Sequence, residues 1–151
     1  MEIRKLNSDE DIPYNLLLLA DETIEAINKY IIDSEIYVTE INNTIIGEYA
    51  LYKVDDEVIE IKNIAVDVLF QNKGIGKLLL KDASIRAKEK GFKTLIIGTS
   101  ELGKKQMRLY QKEGFEIYDY KKDFFLKNFS EPIFEDGVML TDMVMLKKEL
   151  N

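Results

Sequence analysis

The hydrophobic positions in the first fifth of the chain change from a strand-like run to helical spacing. Met1 to Leu6 predicts a short strand. Apolar residues then recur at helical spacing, which predicts one or two helices over residues 14 to 32, with Ala20 to Thr23 as the place where two helices would separate. The positions that carry this spacing are Leu16, Leu17, Ala20, Ile24, Ile27 and Ile31.

The next part of the chain is rich in β-branched and aromatic residues. It predicts three consecutive strands, over Glu35 to Ile41, Thr44 to Val54 and Val58 to Val66. Asn42-Asn43 and Asp55-Asp56 separate them and are typical turn residues. Because the connections are so short, the three strands should form an antiparallel meander.

The second half alternates helical and strand-like segments. This order implies crossovers on a central sheet, and the last strand should follow a helical turn and a loop over residues 123 to 137. The expected elements are a helix over Gly74 to Lys90 ending at Gly91, a strand over Lys93 to Gly98, a helix over Lys104 to Glu113 stopped by Gly114, and strands over Phe115 to Tyr120 and Met139 to Leu146.

A glycine turn, Gln71-Asn72-Lys73-Gly74-Ile75-Gly76, joins the predicted strand ending at Val66 to the helix that follows. A turn of this kind aims free backbone N–H groups at one point, and the helix dipole makes that point attractive to an anion. The spacing does not fit a Walker loop, because Gly76-Lys77 is followed by Leu78. It does not fit a dinucleotide fingerprint either, because Leu79 stands where a third glycine is needed.

Composition limits the chemistry that the chain can perform. The 151 residues are 46% hydrophobic and contain neither Cys nor His. Thiol nucleophiles, Cys or His zinc sites and imidazole catalysis are therefore excluded, and proton transfer must use Glu, Asp, Tyr, Lys, water or the backbone. No metal site is expected. The length fits one domain over residues 1 to 151, with no linker or repeat to divide it.

Charge and the absence of targeting segments bear on partners and location. The net charge of −7 favours a cationic or neutral substrate over nucleic acid. The N-terminal residues lack the apolar core of a signal peptide, and no apolar run approaches the length that spans a bilayer. We therefore expect a cytoplasmic protein that binds no membrane and no nucleic acid.

Two motifs in register resemble those of the GNAT superfamily of N-acetyltransferases. Gln-x-x-Gly-x-Gly at residues 71 to 76 resembles the acetyl-CoA-binding motif, although a bare Gly-x-Gly also occurs in plain turns. Tyr110, Gly114 and Phe115 match the family's Tyr-x-x-x-Gly-Phe segment. The tail, Phe124-Phe125-Leu126 with Glu131-Pro132-Ile133, is similar to that of a small bacterial subgroup of single-domain enzymes.

The resemblance covers essentially the whole chain and implies an α/β (α+β) fold. In that fold a central mixed, mostly antiparallel seven-stranded sheet is flanked by about four helices. It implies an acetyl-CoA-dependent transfer of an acetyl group to a primary amine of a small molecule or peptide. Since the chain lacks Cys, direct transfer in a ternary complex is expected. A non-catalytic acyl-CoA sensor and an unrelated phosphate-binding domain are the alternatives.

The resemblance also assigns residues to acetyl-CoA. Ile64 and Val66 on the fourth strand would lend backbone groups to the pantetheine arm. The glycine turn would hold the pyrophosphate on its amides, where a Cβ at Gly74 or Gly76 would keep phosphate away. The residues implied for this turn are Gln71, Asn72, Lys73, Gly74, Ile75, Gly76 and Lys77, with the lysine side chains either adding charge or lying in solvent.

For catalysis, Tyr110 matches the family tyrosine that protonates the leaving thiolate, and otherwise it would be a core residue. Glu60 occupies a position where some members carry a general base, whereas others use a water chain. A Glu60–Lys62 pair on the rim is the alternative, and Glu48 and Glu22 are weaker candidates. By strict alternation Glu60, Lys62, Ile64 and Val66 would share one strand face.

Two further features concern the surroundings of the expected site. The Asn that many members place after the fifth strand, where it orients the cofactor or the tyrosine, is absent here, so either Thr99 or Ser100 supplies its hydrogen bond or the contact is missing. Substrate walls are expected from Leu17 to Thr23 and from Phe124 to Phe134. The aromatic residues of the second segment would otherwise pack in the core or at a homodimer contact.

Overall fold

The computed structural model describes all residues from Met1 to Asn151. No helix in it is long and apolar enough to cross a membrane. The strands are β1 (Arg4–Lys5), β2 (Ser34–Ile41), β3 (Thr44–Lys53), β4 (Val58–Val66), β5 (Thr94–Ser100), β6 (Glu116–Lys121), β7 (Phe134–Glu135), β8 (Val138–Met139) and β9 (Met143–Glu149). The α-helices are α1 (Tyr14–Ala20), α2 (Ile24–Asn28), α3 (Ile75–Glu89), α4 (Lys104–Lys112) and α5 (Phe124–Asn128).

Seven strands form one sheet in the order β1-β2-β3-β4-β5-β9-β6. Only β4 and β5 pair in parallel, and all other neighbours are antiparallel. The predicted mixed, mostly antiparallel seven-stranded sheet and its β2-β3-β4 meander are therefore confirmed. Five helices accompany it rather than about four, because the expected helical turn at residues 124 to 128 is the helix α5.

Helices cover both faces of the sheet. The face under α3 carries the larger core cluster, which includes Tyr49, Ile61 and Leu79. The opposite face, under α1 and α2, carries a smaller cluster that includes Leu17 and Ala50. Burial of these apolar side chains from both sides fixes the register of the central strands, since a slip of one residue would exchange the two faces.

The last part of the chain differs from its prediction. The expected strand over Met139 to Leu146 begins only at Met143 and runs to Glu149. The residues before it belong to a separate hairpin, in which β7 pairs with β8. Asp136 and Gly137 have φ values of 51° and 78°, the left-handed backbone that a two-residue hairpin turn requires. Because residues 134 to 139 form this hairpin, they do not extend β9.

A β-bulge in β4 corrects the predicted face of Glu60. Ala50 of β3 pairs with Asn63 and Leu51 pairs with Ile61, so Lys62 is an extra residue between them. The bulge reverses the alternation. Ile64 packs with the α3-side cluster, whereas Glu60 pairs with Tyr52, which packs with the cluster under α1 and α2. Strict alternation was wrong to place Glu60 on the face of Ile64 and Val66.

The sheet is split between its two parallel strands. The β4–β5 pairing covers only Val58 to Ile61 against Thr94 to Ile97. Beyond that point β4 continues beside β3 to Val66, and β5 continues beside β9 to Ser100. The two strands therefore diverge and leave a cleft that is open to both faces of the sheet.

Glu48 on β3 is fully buried, and neither of its carboxylate oxygens has a hydrogen-bond partner. Burial raises the pKa of this carboxyl well above its usual value. Asn63, one residue pair along on the same face, has an Oδ1 that also lacks a donor. Only a protonated Glu48 has an O–H group to donate in these surroundings, so burial favours the acid form of this carboxyl.

We expect Glu48→Gln to stabilise the protein at neutral pH. The pKa of Glu48 is higher in the folded protein than in the unfolded chain. The free energy of unfolding of the wild type is therefore highest below about pH 4.5, where Glu48 is protonated in both states, and it falls as the pH rises through the folded-state pKa. In that window the wild type loses up to about 1.4 kcal/mol per pH unit relative to Glu48→Gln. Urea unfolding at acidic and neutral pH measures the difference.

Glu116→Gln, on an exposed position of β6, is the matched control and should leave the pH dependence of unfolding as in the wild type. Equal slopes of unfolding free energy against pH for wild type and Glu48→Gln would show that Glu48 is not held neutral.

Candidate functional site

The cleft between β4 and β5 has a volume of about 1420 Å³. Its walls come from the turn between α1 and α2, from β4 and the glycine turn, from the end of β5, from α4, and from residues 124 to 143. All the predicted site residues except Lys73 line it. The structure therefore brings Tyr110, Glu60 and the glycine turn into one cavity.

The glycine turn presents a row of unused backbone donors. The amides from Asn72 to Lys77 make no hydrogen bond within the protein, and the first bond of α3 runs from the Leu78 N–H to the Gly74 carbonyl at 3.2 Å. Asn72 and Gly74 have φ values of 62° and 84°, and this left-handed backbone curls the chain into the helix. The geometry is that of an anion site at a helix N-terminus.

The Gln71 side chain holds the turn against β4. Its Nε2 donates to the Val66 carbonyl at 2.9 Å, and the Asp67 carboxylate accepts from the Leu69 N–H at 2.9 Å. These two contacts shape the backbone before any ligand arrives. Gln71 thus organises the turn through its side chain.

Positive charge gathers at this end of the cleft. Lys77, Lys105 and Arg108 line it, and Lys105 Nζ donates to Asn72 Oδ1 at 2.7 Å, which ties α4 to the glycine turn. Lys73 instead places its Nζ 5.6 Å from the centre of the Phe70 ring. Lys105 and Arg108 could not be identified from the sequence, because their position depends on how α4 packs beside the turn.

Gly76 is not required by the protein's own packing. A Cβ built there would meet only Leu109 Cδ2, at 3.8 Å, which is ordinary contact. Its φ is not positive, in contrast to that of Gly74. The Gly76 N–H is one of the unused donors of the turn, so the protein's own packing does not explain the glycine and a ligand at these amides does. This arrangement fits the pyrophosphate of acetyl-CoA.

The edge of β4 that faces the cleft is free beyond Ile61, because β5 no longer pairs with it. Ile64 and Val66 lie on this stretch and line the cleft. Their side chains pack against the core on the α3 side. Apart from the Val66 carbonyl, which accepts from Gln71 Nε2, backbone groups along this edge are available to an extended ligand. An arm bound here would lie as an added strand along β4.

Tyr110 lies near the end of α4, with its ring 6.2 Å from that of Phe115. The residue is only 6% exposed, yet it lines the cleft. Burial raises the pKa of Tyr110 to about 12. The phenol therefore stays protonated across the physiological range and can donate a proton to a leaving group in the cleft.

Glu60 lies on β4 where the cleft opens, and it is 8% exposed. Its Oε1 lies 3.4 Å from Lys62 Nζ. The ion pair that the sequence left as an alternative is present, and both partners line the cleft. Glu60 is therefore a buried carboxylate beside a primary ammonium, within the cavity that also contains Tyr110.

The opposite part of the cleft carries carboxylates without cationic partners. Asp21 and Glu22 come from the turn between α1 and α2, and Glu135 comes from β7. Burial, together with the charges of Asp21 and Glu135, raises the pKa of Glu22. None of the three forms an ion pair within the protein. This part of the cleft is therefore complementary to a positively charged group.

The two predicted wall segments both reach the cleft. Leu19 to Glu22 lines it from one side. Aromatic residues line it from the other, and Phe125 packs edge-on against Phe124 and stacks on Phe129. The lining aromatics of this segment are Phe124, Phe125, Phe129 and Phe134.

A buried hydrogen-bond chain positions the α1–α2 wall. Asn63 Nδ2 donates to the Leu17 carbonyl at 3.0 Å and to the Tyr30 hydroxyl at 3.1 Å. The Tyr30 hydroxyl donates to Asp21 Oδ2 at 2.9 Å. These hydrogen bonds were not predicted. Their only signal in the sequence is the polar residue Asn63 within an apolar strand.

Thr99 and Ser100 lie at the end of β5, near the place where the resemblance implies an Asn that this chain lacks. Ser100 Oγ donates to Glu135 Oε2 at 3.2 Å, so it ties the β7–β8 hairpin to the end of β5. Neither hydroxyl bonds to Tyr110. A hydroxyl contact to Tyr110 in place of the Asn is therefore not formed, and the Tyr110 ring packs against Phe115 instead.

Comparisons with known proteins agree with this geometry. Residues 33 to 117 match the family model described as an acetyltransferase (GNAT) domain. The chain is 42% identical over 137 residues to the N-acetyltransferase YvbK of Bacillus subtilis (strain 168), which covers 91% of this chain and 88% of that protein.

Solved structures extend the likeness to the whole chain. A GNAT family acetyltransferase from Elizabethkingia anophelis with acetyl-CoA bound superposes with a TM-score of 0.95, at 50% identity over 99% of this chain and 97% of that one. An acetyltransferase from Bacillus subtilis in complex with CoA gives a TM-score of 0.90, at 40% identity over 99% and 98%.

We expect Gly76→Ala to separate ligand binding from stability. In the first turn of α3 the added methyl group meets no clash, so unfolding should cost the same or about 0.5–1 kcal/mol more. The methyl fills the amide cradle, so the affinity for CoA should fall by about tenfold or more. Urea unfolding and calorimetric titration with CoA measure the two effects. Unchanged affinity would mean that the phosphates bind elsewhere.

Proposed function

The chain belongs to the GNAT family of acetyl-CoA-dependent N-acetyltransferases, and we propose that it transfers the acetyl group directly to a primary amine of a small molecule or peptide. Transfer takes place in a ternary complex. The observation that carries this proposal is the joint placement of Tyr110, Glu60 and the free amides of the glycine turn in one cleft.

The cofactor lies along the open edge of β4 in this proposal. The amides of Asn72 to Lys77 hold the pyrophosphate, with Lys77 and Lys105 adding positive charge. The pantetheine arm follows β4 past Val66 and Ile64, where no neighbouring strand competes for the backbone. This route leads the thioester toward Tyr110 and Glu60.

The two catalytic residues take part in two different proton transfers, one from the amine and one to the sulfur. Glu60 accepts a proton from the cationic amine, which makes the nitrogen nucleophilic. Tyr110, protonated because burial raises the pKa of its phenol to about 12, donates to the sulfur as the C–S bond breaks. No Cys is present to form an acyl-enzyme, which supports direct attack by the amine.

The acceptor enters from the side of the unpaired carboxylates. Asp21, Glu22 and Glu135 attract a cationic amine, and the aromatic wall around Phe124 and Phe134 contacts its apolar part. Elements near both ends of the chain build this cleft. We therefore propose that residues 1 to 151 work as one acetyl-CoA-binding domain.

We expect Tyr110→Phe to reduce kcat by about 10²-fold or more, because the substitution removes the acid and keeps the ring. The affinity for CoA should stay within about twofold, since the phenol does not contact the phosphates. Tyr120→Phe, at a 60% exposed position of β6, is the control and should keep full activity. Thiol release from acetyl-CoA with a panel of amines measures turnover. A Tyr110→Phe variant as active as the control would remove Tyr110 from the mechanism.

We expect Glu60→Gln to reduce kcat most at low pH, by about 10²-fold. The loss should shrink as the pH rises, because more of the amine is then neutral without help from a base. The pH profile of kcat for wild type and variant measures this. A loss that is equal at every pH would assign Glu60 a structural role and leave proton removal to a water chain.

Thermal unfolding with and without CoA tests the binding half of the proposal independently. Saturating CoA should raise Tm by several degrees, since it binds only the folded state. A protein that CoA stabilises but that releases no thiol with any amine would be a sensor rather than an enzyme. A protein that CoA does not stabilise would refute the cradle itself.

A further inference from the structure

The bulge residue Lys62 places a primary amine inside the cleft. Its Nζ lies 3.4 Å from Glu60 Oε1, and the two side chains are 29% and 10% exposed. The same nitrogen lies 5.9 Å from the ring centre of Tyr30 and 5.3 Å from that of Tyr52. A carboxylate and two aromatic faces therefore hold this ammonium by charge and by cation–π attraction. The group proposed as the base already has an amine beside it.

The open edge of β4 shows where the acetyl group would stop. An arm that follows the edge from the glycine turn passes Val66 and then Ile64. Two residues of a strand span about 6.6 Å, so the next step along the edge is Lys62. At Ile61 the pairing with β5 begins, so the free edge of β4 ends there. The reactive end of an arm on this route would therefore stop beside Lys62.

We propose that Lys62 is an internal acceptor, which the enzyme acetylates when acetyl-CoA is bound without an external amine. This inference rests on the proposed function. Glu60 takes one proton from the Lys62 ammonium and passes it to solvent. The neutral nitrogen bonds to the carbonyl carbon, and the C–S bond breaks. The sulfur takes the phenolic proton of Tyr110. The second proton on the attacking nitrogen then passes to the Tyr110 oxygen and restores the phenol. The products are N-acetylated Lys62 and the free thiol of CoA.

The bulge is what makes this transfer geometrically available. In a strand without a bulge, position 62 would share the face of Ile64, which packs against the apolar core under α3. With it, Lys62 lies on the acceptor side together with Glu60. Of the other lysines that line the cleft, Lys77 and Lys105 lie at its phosphate end, whereas Lys29, at the end of α2, and Lys121, at the end of β6, are not on the edge of β4.

Incubation of the intact protein with acetyl-CoA and no amine tests this inference. Mass spectrometry should show one added acetyl group per chain, and peptide mapping should place it on Lys62. The first-order rate constant should not change with protein concentration, because donor and acceptor occupy one molecule. Tyr110→Phe should slow the modification by about tenfold or more, and Lys62→Arg should abolish it.

Lys53→Arg is the matched control. Lys53 lies on β3 with its side chain 61% exposed and paired with Asp56, so this variant should acquire the acetyl group on Lys62 as the wild type does. An unmodified Lys62 would overturn the inference. So would acetylation spread evenly over surface lysines at a rate that Tyr110→Phe leaves unchanged, since that is spontaneous chemistry.

Thiol release with the amine panel, measured on the same wild-type protein, separates this inference from the proposed function. Turnover of an external amine without modification of Lys62 rejects the internal acceptor alone. A protein that acetylates neither Lys62 nor any amine rejects both.

Discussion

The divergence of β4 from β5 is the constraint on which the rest of the structure depends. The two strands pair in parallel over four residues each, from Val58 and Thr94 onward, and then separate because β3 and β9 hold them on opposite sides. An open sheet edge normally exposes unpaired backbone groups and invites another strand. Here the opening is narrow and lined by side chains, so it accepts an extended ligand instead. In the proposed complex the cofactor arm completes the sheet in place of a strand.

Charge divides this cleft into two functional ends. The glycine turn combines free amides with Lys77, Lys105 and Arg108, which suits a ligand with several phosphates although the whole chain carries a net charge of −7. The far end carries unpaired carboxylates, which suit a cationic amine. Tyr110 and Glu60 also line this cleft, and both are little exposed. Burial raises the pKa of Tyr110 to about 12 and so keeps the phenol protonated.

Much of this arrangement could be predicted from the sequence. The glycine turn and the Tyr110 to Phe115 segment could be recognised from short sequence motifs, and the apolar periodicity located the meander and α3. The bulge at Lys62 could not be predicted, because one extra residue does not disturb the pattern of apolar and polar residues in the sequence of β4. It is visible only in the pairing of β4 with β3. The β7–β8 hairpin was missed for a different reason. Asp136-Gly137 is a local hairpin signal in the sequence, but the strands on either side have only two residues each, too few to show alternation. A homodimer contact through the Phe124 to Phe134 segment stays a prediction.

Hydrogen exchange of the backbone amides, with and without CoA, tests the central claim most directly. The amides of residues 72 to 77 have no internal partner, so they should exchange rapidly in the free protein and slow markedly when CoA binds, together with amides on the free edge of β4. The exposed strand β6 should not change. Unaltered exchange across residues 72 to 77 at saturating CoA would contradict the account, because the ligand would then be bound without the donors that define the site.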